Sequence, residues 1–146
     1  MVWICIAVFV FCIDYRIKKL AEERLEQGSR KEMGGGFFLQ KVYNKGFALN
    51  RLEKKPNLVK WIQAGLMLCL GIYSIQKVFF QGGKKSTALG VAMILGGGAS
   101  NLLDRFQKGY VVDYLGLPGI KKVIFNLSDL FVFLGSIFVF FGEMGD

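Results

Sequence analysis

Four long apolar runs, separated by charged or glycine-rich stretches, divide the chain. Residues 1–13 are apolar, and Ile17, Leu20 and Ala21 carry the pattern past Asp14. The first run therefore predicts a membrane span over about 2–20, and the others predict spans over about 61–80, 86–103 and 123–142. Trp61 opens the second as an interfacial anchor, with Pro56 just ahead of its helix, where a missing N–H is harmless. Gly90, Gly96, Gly97 and Gly98 in the third let neighbouring helices approach closely. Between the first two spans, residues 22–33 are charged and helix-prone, and Gly34, Gly35 and Gly36 then break the helix. Phe37 to Tyr43 reads as a short strand and Asn44-Lys45-Gly46 as a turn. Gly82-Gly83-Lys84-Lys85 forms a tight basic loop, and Gly116 to Lys122, with Pro118, a short one. The expected fold is an all-α membrane protein, a single domain over 1–146 with four transmembrane helices and a small β/loop subdomain. Four spans place both termini on one side.

Composition agrees. With 53% hydrophobic and 14% aromatic residues and a mean hydropathy of +0.40, the chain is too apolar for an ordinary soluble domain. A cleavable signal peptide at the start is disfavoured by the missing basic n-region. The net charge of +8 points to anionic lipid headgroups rather than nucleic acid, because no recognition motif accompanies the basic residues. There is no histidine, which removes the commonest catalytic base and metal ligand. Cys5, Cys12 and Cys69 lie in apolar runs without metal or disulfide spacing, and no histidine stands ready to activate a thiol.

The candidate chemistry lies at the span ends. An ionisable group at bilayer depth costs roughly 2.5–3.5 kcal/mol, so it needs a partner or a task. Asp113 and Asp129 each adjoin an apolar span, 16 positions apart. If those spans end at one membrane face the carboxylates meet there, and two close carboxylates share a proton. One then acts as base toward water while the other polarises a carbonyl. The plainer account is a capping carboxylate, which fits Asp129 poorly because it lies inside an apolar run. Asp14 and Lys18, four apart on one helical face, read in the plainest account as a helix-end pair snorkelling to the interface. Asp104 and Arg105 read as an ion pair at the end of the third span. Asn101 and Asn126 lie three positions before Asp104 and Asp129, and their amides must bond to something if buried.

Five motifs now stand in order: Asp14-x-x-x-Lys18, Asn44-Lys45-Gly46-Phe47-Ala48, Ser100-Asn101-x-x-Asp104-Arg105, Val111-Val112-Asp113 and Phe125-Asn126-Leu127-Ser128-Asp129. Together they resemble the motif set of the lipoprotein signal peptidase family (signal peptidase II) over nearly the whole chain. The resemblance implies a bacterial membrane aspartyl endopeptidase. Such an enzyme removes signal peptides from prolipoproteins just before a cysteine carrying diacylglyceryl. It implies that Asp113 and Asp129 are catalytic and that Asn44, Gly46, Asn101, Arg105 and Asn126 surround the substrate. Asp14 and Lys18 would support them. No cofactor is implied; the partners are prolipoprotein substrates and membrane lipids, and the protein is expected to be monomeric. Ser100 and Ser128 stand where glycine and alanine are usual, and Phe47 and Asn50 where smaller residues are commoner.

Two other classes compete. A non-enzymatic four-helix protein, such as a small proton-coupled transporter, would also hold acids in its spans. A protease with a Gly-x-Gly-Asp signature fits badly, since the glycines at 96–98 are followed by Ala99. A serine–lysine dyad through Lys18 lacks a supporting serine motif.

Orientation divides the two lines of reading. Residues 14–60 carry 12 of the 19 Lys and Arg, which argues for a cytoplasmic long loop and external termini. The resemblance implies the reverse: cytoplasmic termini, Lys84 and Lys85 inside, and the β/loop subdomain and active site near the outer face of the cytoplasmic membrane. The second is the expectation adopted.

Overall fold

Helix α3, Lys85–Gln107, is the axle of the computed structural model, which describes residues 1–46, 52–80, 82, 84–120 and 123–144. The chain runs through helix α1 (Val2–Arg24), strands β1 (Lys31–Gly34) and β2 (Phe37–Asn44), and helix α2 (Pro56–Ser74). A π-helical turn, Ile75–Phe80, leads to α3, followed by β3 (Val111–Gly116), β4 (Ile124–Phe125) and helix α4 (Leu127–Met144). Phe47, Ala48, Asn50, Gly83 and Lys122 lie outside the described residues.

Among the described residues, three helical stretches are long and apolar enough to cross a membrane: Pro56–Lys77, Lys85–Gln107 and Leu127–Met144. Their buried shares, 6%, 56% and 17%, show that α3 is enclosed while the other two expose most of their surface. Helix α1 has the length, at 23 residues, but its second half carries Asp14, Arg16, Lys18 and Lys19. Asp14 and Lys18 are nevertheless fully buried against α3, so the charges on that face point inward.

Three adjacent glycines allow this enclosure. Successive helical residues are turned by about 100°, so Gly96, Gly97 and Gly98 address three neighbours. A Cβ on Gly96 would strike the Ala7 carbonyl of α1, one on Gly97 the backbone of Ser128 in α4, and one on Gly98 the Met67 side chain of α2. Gly90 and Gly135 meet backbone to backbone further along the α3–α4 contact. Small residues let helices approach closely where hydrophobic burial cannot drive association.

The strands form a four-stranded antiparallel sheet, order β1-β2-β3-β4, at the end opposite the termini. The helix expected across residues 22–33 stops at Arg24 instead. Gly28 turns with φ +80°, Gln27 bridges to Lys41, and Lys31–Gly34 pairs with β2. Sheet pairing overrides helix propensity there. Gly35 and Gly36, both at positive φ, make the β1–β2 turn. The expected strand at 37–43 extends one residue, to Asn44.

Candidate active site

Asp113 sits in the middle of β3, 2% exposed. Val42 is its partner on β2, so Asn44, two residues on, is its diagonal neighbour on the same face. The Asn44 amide donates to Asp113 Oδ2 at 3.0 Å, while its own Oδ1 accepts the Gly46 N–H at 3.0 Å and closes the turn. Asn126 Nδ2 donates to the other oxygen, Oδ1, at 2.7 Å. Burial and the nearby Asp129 charge push the Asp113 carboxyl up to about 7, against the two amide donors, which pull it down.

Asp129 lies in the first turn of α4 and does cap the helix, contrary to the reading from the apolar run. Its Oδ2 accepts the Asn126 N–H at 3.2 Å, and Asn126 Oδ1 accepts the Asp129 N–H at 2.9 Å. This is the reciprocal arrangement of a capping box. The cap uses one carboxylate oxygen; Oδ1 accepts the Asn101 amide at 3.0 Å. Asn126 therefore touches both aspartates, and Asn101 Oδ1 joins the set by accepting from Asn126 Nδ2 at 3.2 Å.

The other free N–H groups at the start of α4 also find partners. Leu127 N–H donates to the Tyr114 hydroxyl at 3.0 Å and Ser128 N–H to Asp14 Oδ1 at 2.9 Å. A helix end buried without such partners would be costly. Tyr114 follows Asp113 directly, so the strand bearing one acid is pinned to the helix bearing the other.

Asp14 and Lys18 stand behind this site. Lys18 Nζ lies 2.8 Å from Asp14 Oδ2 and 3.5 Å from Asp104 Oδ2, and donates to Asn101 Oδ1 at 2.6 Å and Ser100 Oγ at 3.3 Å. Ser100 Oγ in turn donates to Asp14 Oδ2 at 2.6 Å. The pair is thus part of the core, not a snorkelling helix end. Its hydrogen bonds reach the aspartates through Asn101 and the α4 backbone.

Asp104 and Arg105 do not serve one another as expected. Asp104 binds Lys18, Lys108 at 2.9 Å and the Val112 N–H at 3.3 Å. Arg105 donates from Nε to Gln63 Oε1 at 2.8 Å and from Nη2 to the Gly46 carbonyl at 2.7 Å. Its Nη1 is buried and has no partner among the described residues. Burial of Asp104 beside a buried lysine explains why the cation on α1 wins over the adjacent arginine.

Asp14, Lys18, Asn44, Gly46, Asn101, Arg105, Asn126, Asp113 and Asp129 thus gather at this end of the helices. Gln63 and Tyr114 were missed. Neither falls in a motif, and only the helix and strand neighbours reveal their bonds. Ser100, seen in the sequence only as a departure, bonds both Asp14 and Lys18, which also meet each other directly.

The signal peptidase (SPase) II family matches residues 6–144. A lipoprotein signal peptidase of Cupriavidus necator is 27% identical over 146 residues, covering 99% of this chain and 83% of that protein. One from Trichormus variabilis is 30% identical over 137 residues, covering 92% and 84%. In fold the chain is similar to a bacterial membrane enzyme structure obtained by the in meso method at 2.3 Å resolution. The TM-score is 0.89 and the identity 23%, covering 99% of this chain and 88% of that one. The chain belongs to the signal peptidase II family.

Proposed function

We propose that the chain is an aspartic endopeptidase of the membrane that cuts the signal peptide from lipoprotein precursors, with Asp113 and Asp129 as its acid–base pair. Membership of the family makes it a peptidase. The observation that carries the rest is Asn126, whose side chain donates to the Asp113 carboxylate and accepts the Asp129 N–H while its backbone N–H donates to the Asp129 carboxylate. The pair carries a single proton near neutral pH, consistent with the upward push on Asp113. One carboxylate takes a proton from the attacking water as the other donates to the scissile carbonyl. The carboxyl that took the water proton then gives it to the amide nitrogen, the C–N bond breaks with its electron pair on nitrogen, and a hydroxyl proton of the tetrahedral intermediate returns to the other carboxylate as the carbonyl re-forms.

Asn44 and Asn126 orient Asp113, and Asn101 orients Asp129. Arg105 braces the Gly46 turn against α2 and keeps one N–H for the substrate backbone. Asp14 and Lys18 set the helix angle from behind. Cleavage falls before a diacylglyceryl-modified cysteine, whose chains lie in lipid. Helix α1 is the fourth transmembrane span over its first half, where Ile4, Val8 and Phe9 are exposed and apolar; past Asp14 its outer face carries the exposed Arg16 and Lys19, at the membrane surface. The termini, Lys84 and Lys85 then face the cytoplasm and the sheet the outer surface. The working unit is a monomer, and no metal enters the chemistry.

Asp113→Asn and Asp129→Asn test the assignment in purified enzyme with a lipid-modified precursor. Each is expected to remove cleavage while the helical content stays. A tenth of wild-type turnover in either variant would refute the pair. Single cysteines at 45 and 84 in a cysteine-free background test the orientation: an impermeant thiol reagent on intact cells should label the first and spare the second.

A further inference from the structure

Helix α4 presents two faces of different kinds along its length. Ser128, Gly135, Val139 and Gly142 are turned to α3. About a quarter-turn away runs a second stripe, Asp129, Phe133, Ser136, Phe140 and Glu143, at steps of three and four residues. Phe133 is 66% and Phe140 59% exposed, so nothing in the fold covers the middle of this stripe. Its two ends are acids. Asp129 belongs to the site above, and Glu143 meets the turn that follows α2: Lys77 Nζ lies 3.0 Å from its Oε2, and Thr87 Oγ1 donates to its Oε1 at 3.0 Å. The stripe therefore faces the side where α2 stands, and is closed at its far end by a carboxylate holding an ammonium group.

We propose that this stripe is the seat of the substrate's signal peptide, its apolar segment against Phe133 and Phe140, its cleavage site at Asp129 and its cationic n-region at Glu143. The proposal rests on the function proposed above. Length supports it. Glu143 follows Asp129 by 14 positions on one helix, so the two acids are about 21 Å apart along the axis, at about 1.5 Å per residue. A signal peptide carries an apolar segment of roughly 7–15 residues between its basic n-region and its cleavage site. Charge supports it as well. Glu143 places an anion at the inner end of this face, and Lys77 shows that an amine fits against it. The substrate enters antiparallel to α4, and its n-region cation shares or replaces the contact of Lys77. On another side of α4, Leu134 and Phe141 are also exposed but carry no acid at either end among the described residues, which makes them the control surface.

The test uses two lipid-modified precursors identical except for lysine or glutamine in the n-region, with the full-length enzyme in proteoliposomes. The lysine form should show a KM about 2–5-fold lower in the wild type, the scale of an exposed ion pair. Glu143→Gln should erase that preference, and Phe140→Ala should raise KM for both precursors where Phe141→Ala does not. Equal KM values for the two precursors in the wild type would overturn the proposal without any variant. So would a preference that persists in Glu143→Gln. Failure of the wild type to cut either precursor would overturn the proposed function, and this seat with it.

Discussion

Asn126 donates its side-chain amide to Asp113 at 2.7 Å while it caps the helix that carries Asp129. One residue thus holds the strand, the helix and both acids in register. Asn126→Ala removes the cap, at about 0.5–2 kcal/mol, and uncovers a buried carboxylate oxygen, at about 1–3 kcal/mol more. The expected result is a lower melting temperature in detergent together with a loss of turnover of at least tenfold. Full activity in the alanine variant would show that the acids find their places without it.

The pH dependence follows from Asp113. Its carboxyl is pushed from 3.8 up to about 7 by burial first and the Asp129 charge second. A group with a raised folded pKa binds more protons folded than unfolded between those two values. Stability from this residue is therefore full below about pH 4 and declines as pH rises toward 7. Activity needs the shared proton, so kcat should fall on the alkaline side with a limb near 7. Asp113→Asn should flatten the slope of melting temperature against pH over that window. A slope unchanged by the substitution would assign it to another group.

The elements legible in the sequence are those set by local pattern. The apolar runs overlap α2, α3 and α4, which begin at Pro56, Lys85 and Leu127, and the spacing of Asp14 and Lys18 put them on one face of α1. What the pattern could not show depends on partners distant in the chain. Residues 22–33 read as helix-prone, yet the helix stops at Arg24, the chain turns at Gly28, and Lys31–Gly34 pairs with β2. The Asn44–Asp113 bond depends on strand register, and Gln63 meets Arg105 across two helices. Asp129 looked unlike a cap because the residues after it are apolar; the cap is built backward, to Asn126. The resemblance marked most of the site, but only the bonds distinguish Asp14 and Lys18 behind Asn101 from the residues that touch the acids.

Lys18 is a buried cation among acids, and its removal should be severe. Asp14 and Asp104 are 0% and 1% exposed, so Lys18→Met leaves buried carboxylates short of a partner. Breaking such a pair costs about 3–5 kcal/mol. Adding Asp14→Asn should restore part of the loss, because asparagine keeps an oxygen for the Ser128 N–H while shedding the charge. Thermal unfolding of the single and double variants measures this. A double variant no more stable than Lys18→Met would mean that the loss comes from packing rather than charge.

The last expectation separates two adjacent glycines. At Gly97 a Cβ would lie 2.8 Å from the Ser128 carbonyl oxygen, a backbone atom one residue before Asp129. Gly97→Ala must push the start of α4 outward and carry Asp129 from Asn101, whose bond is 3.0 Å. At Gly98 the added carbon meets the end of the Met67 side chain, which swings aside at little cost because its thioether is flexible. Gly97→Ala should therefore lower kcat by tenfold or more, since a misplacement on the order of 1 Å costs about 10²-fold. Gly98→Ala should stay within about threefold of the wild type, a change of under 1 kcal/mol. Both helices keep their length, so circular dichroism should not distinguish the two variants. Equal loss from both would place the effect in the general tightness of α3, and equal tolerance would mean that the α4 end moves without disturbing the acids.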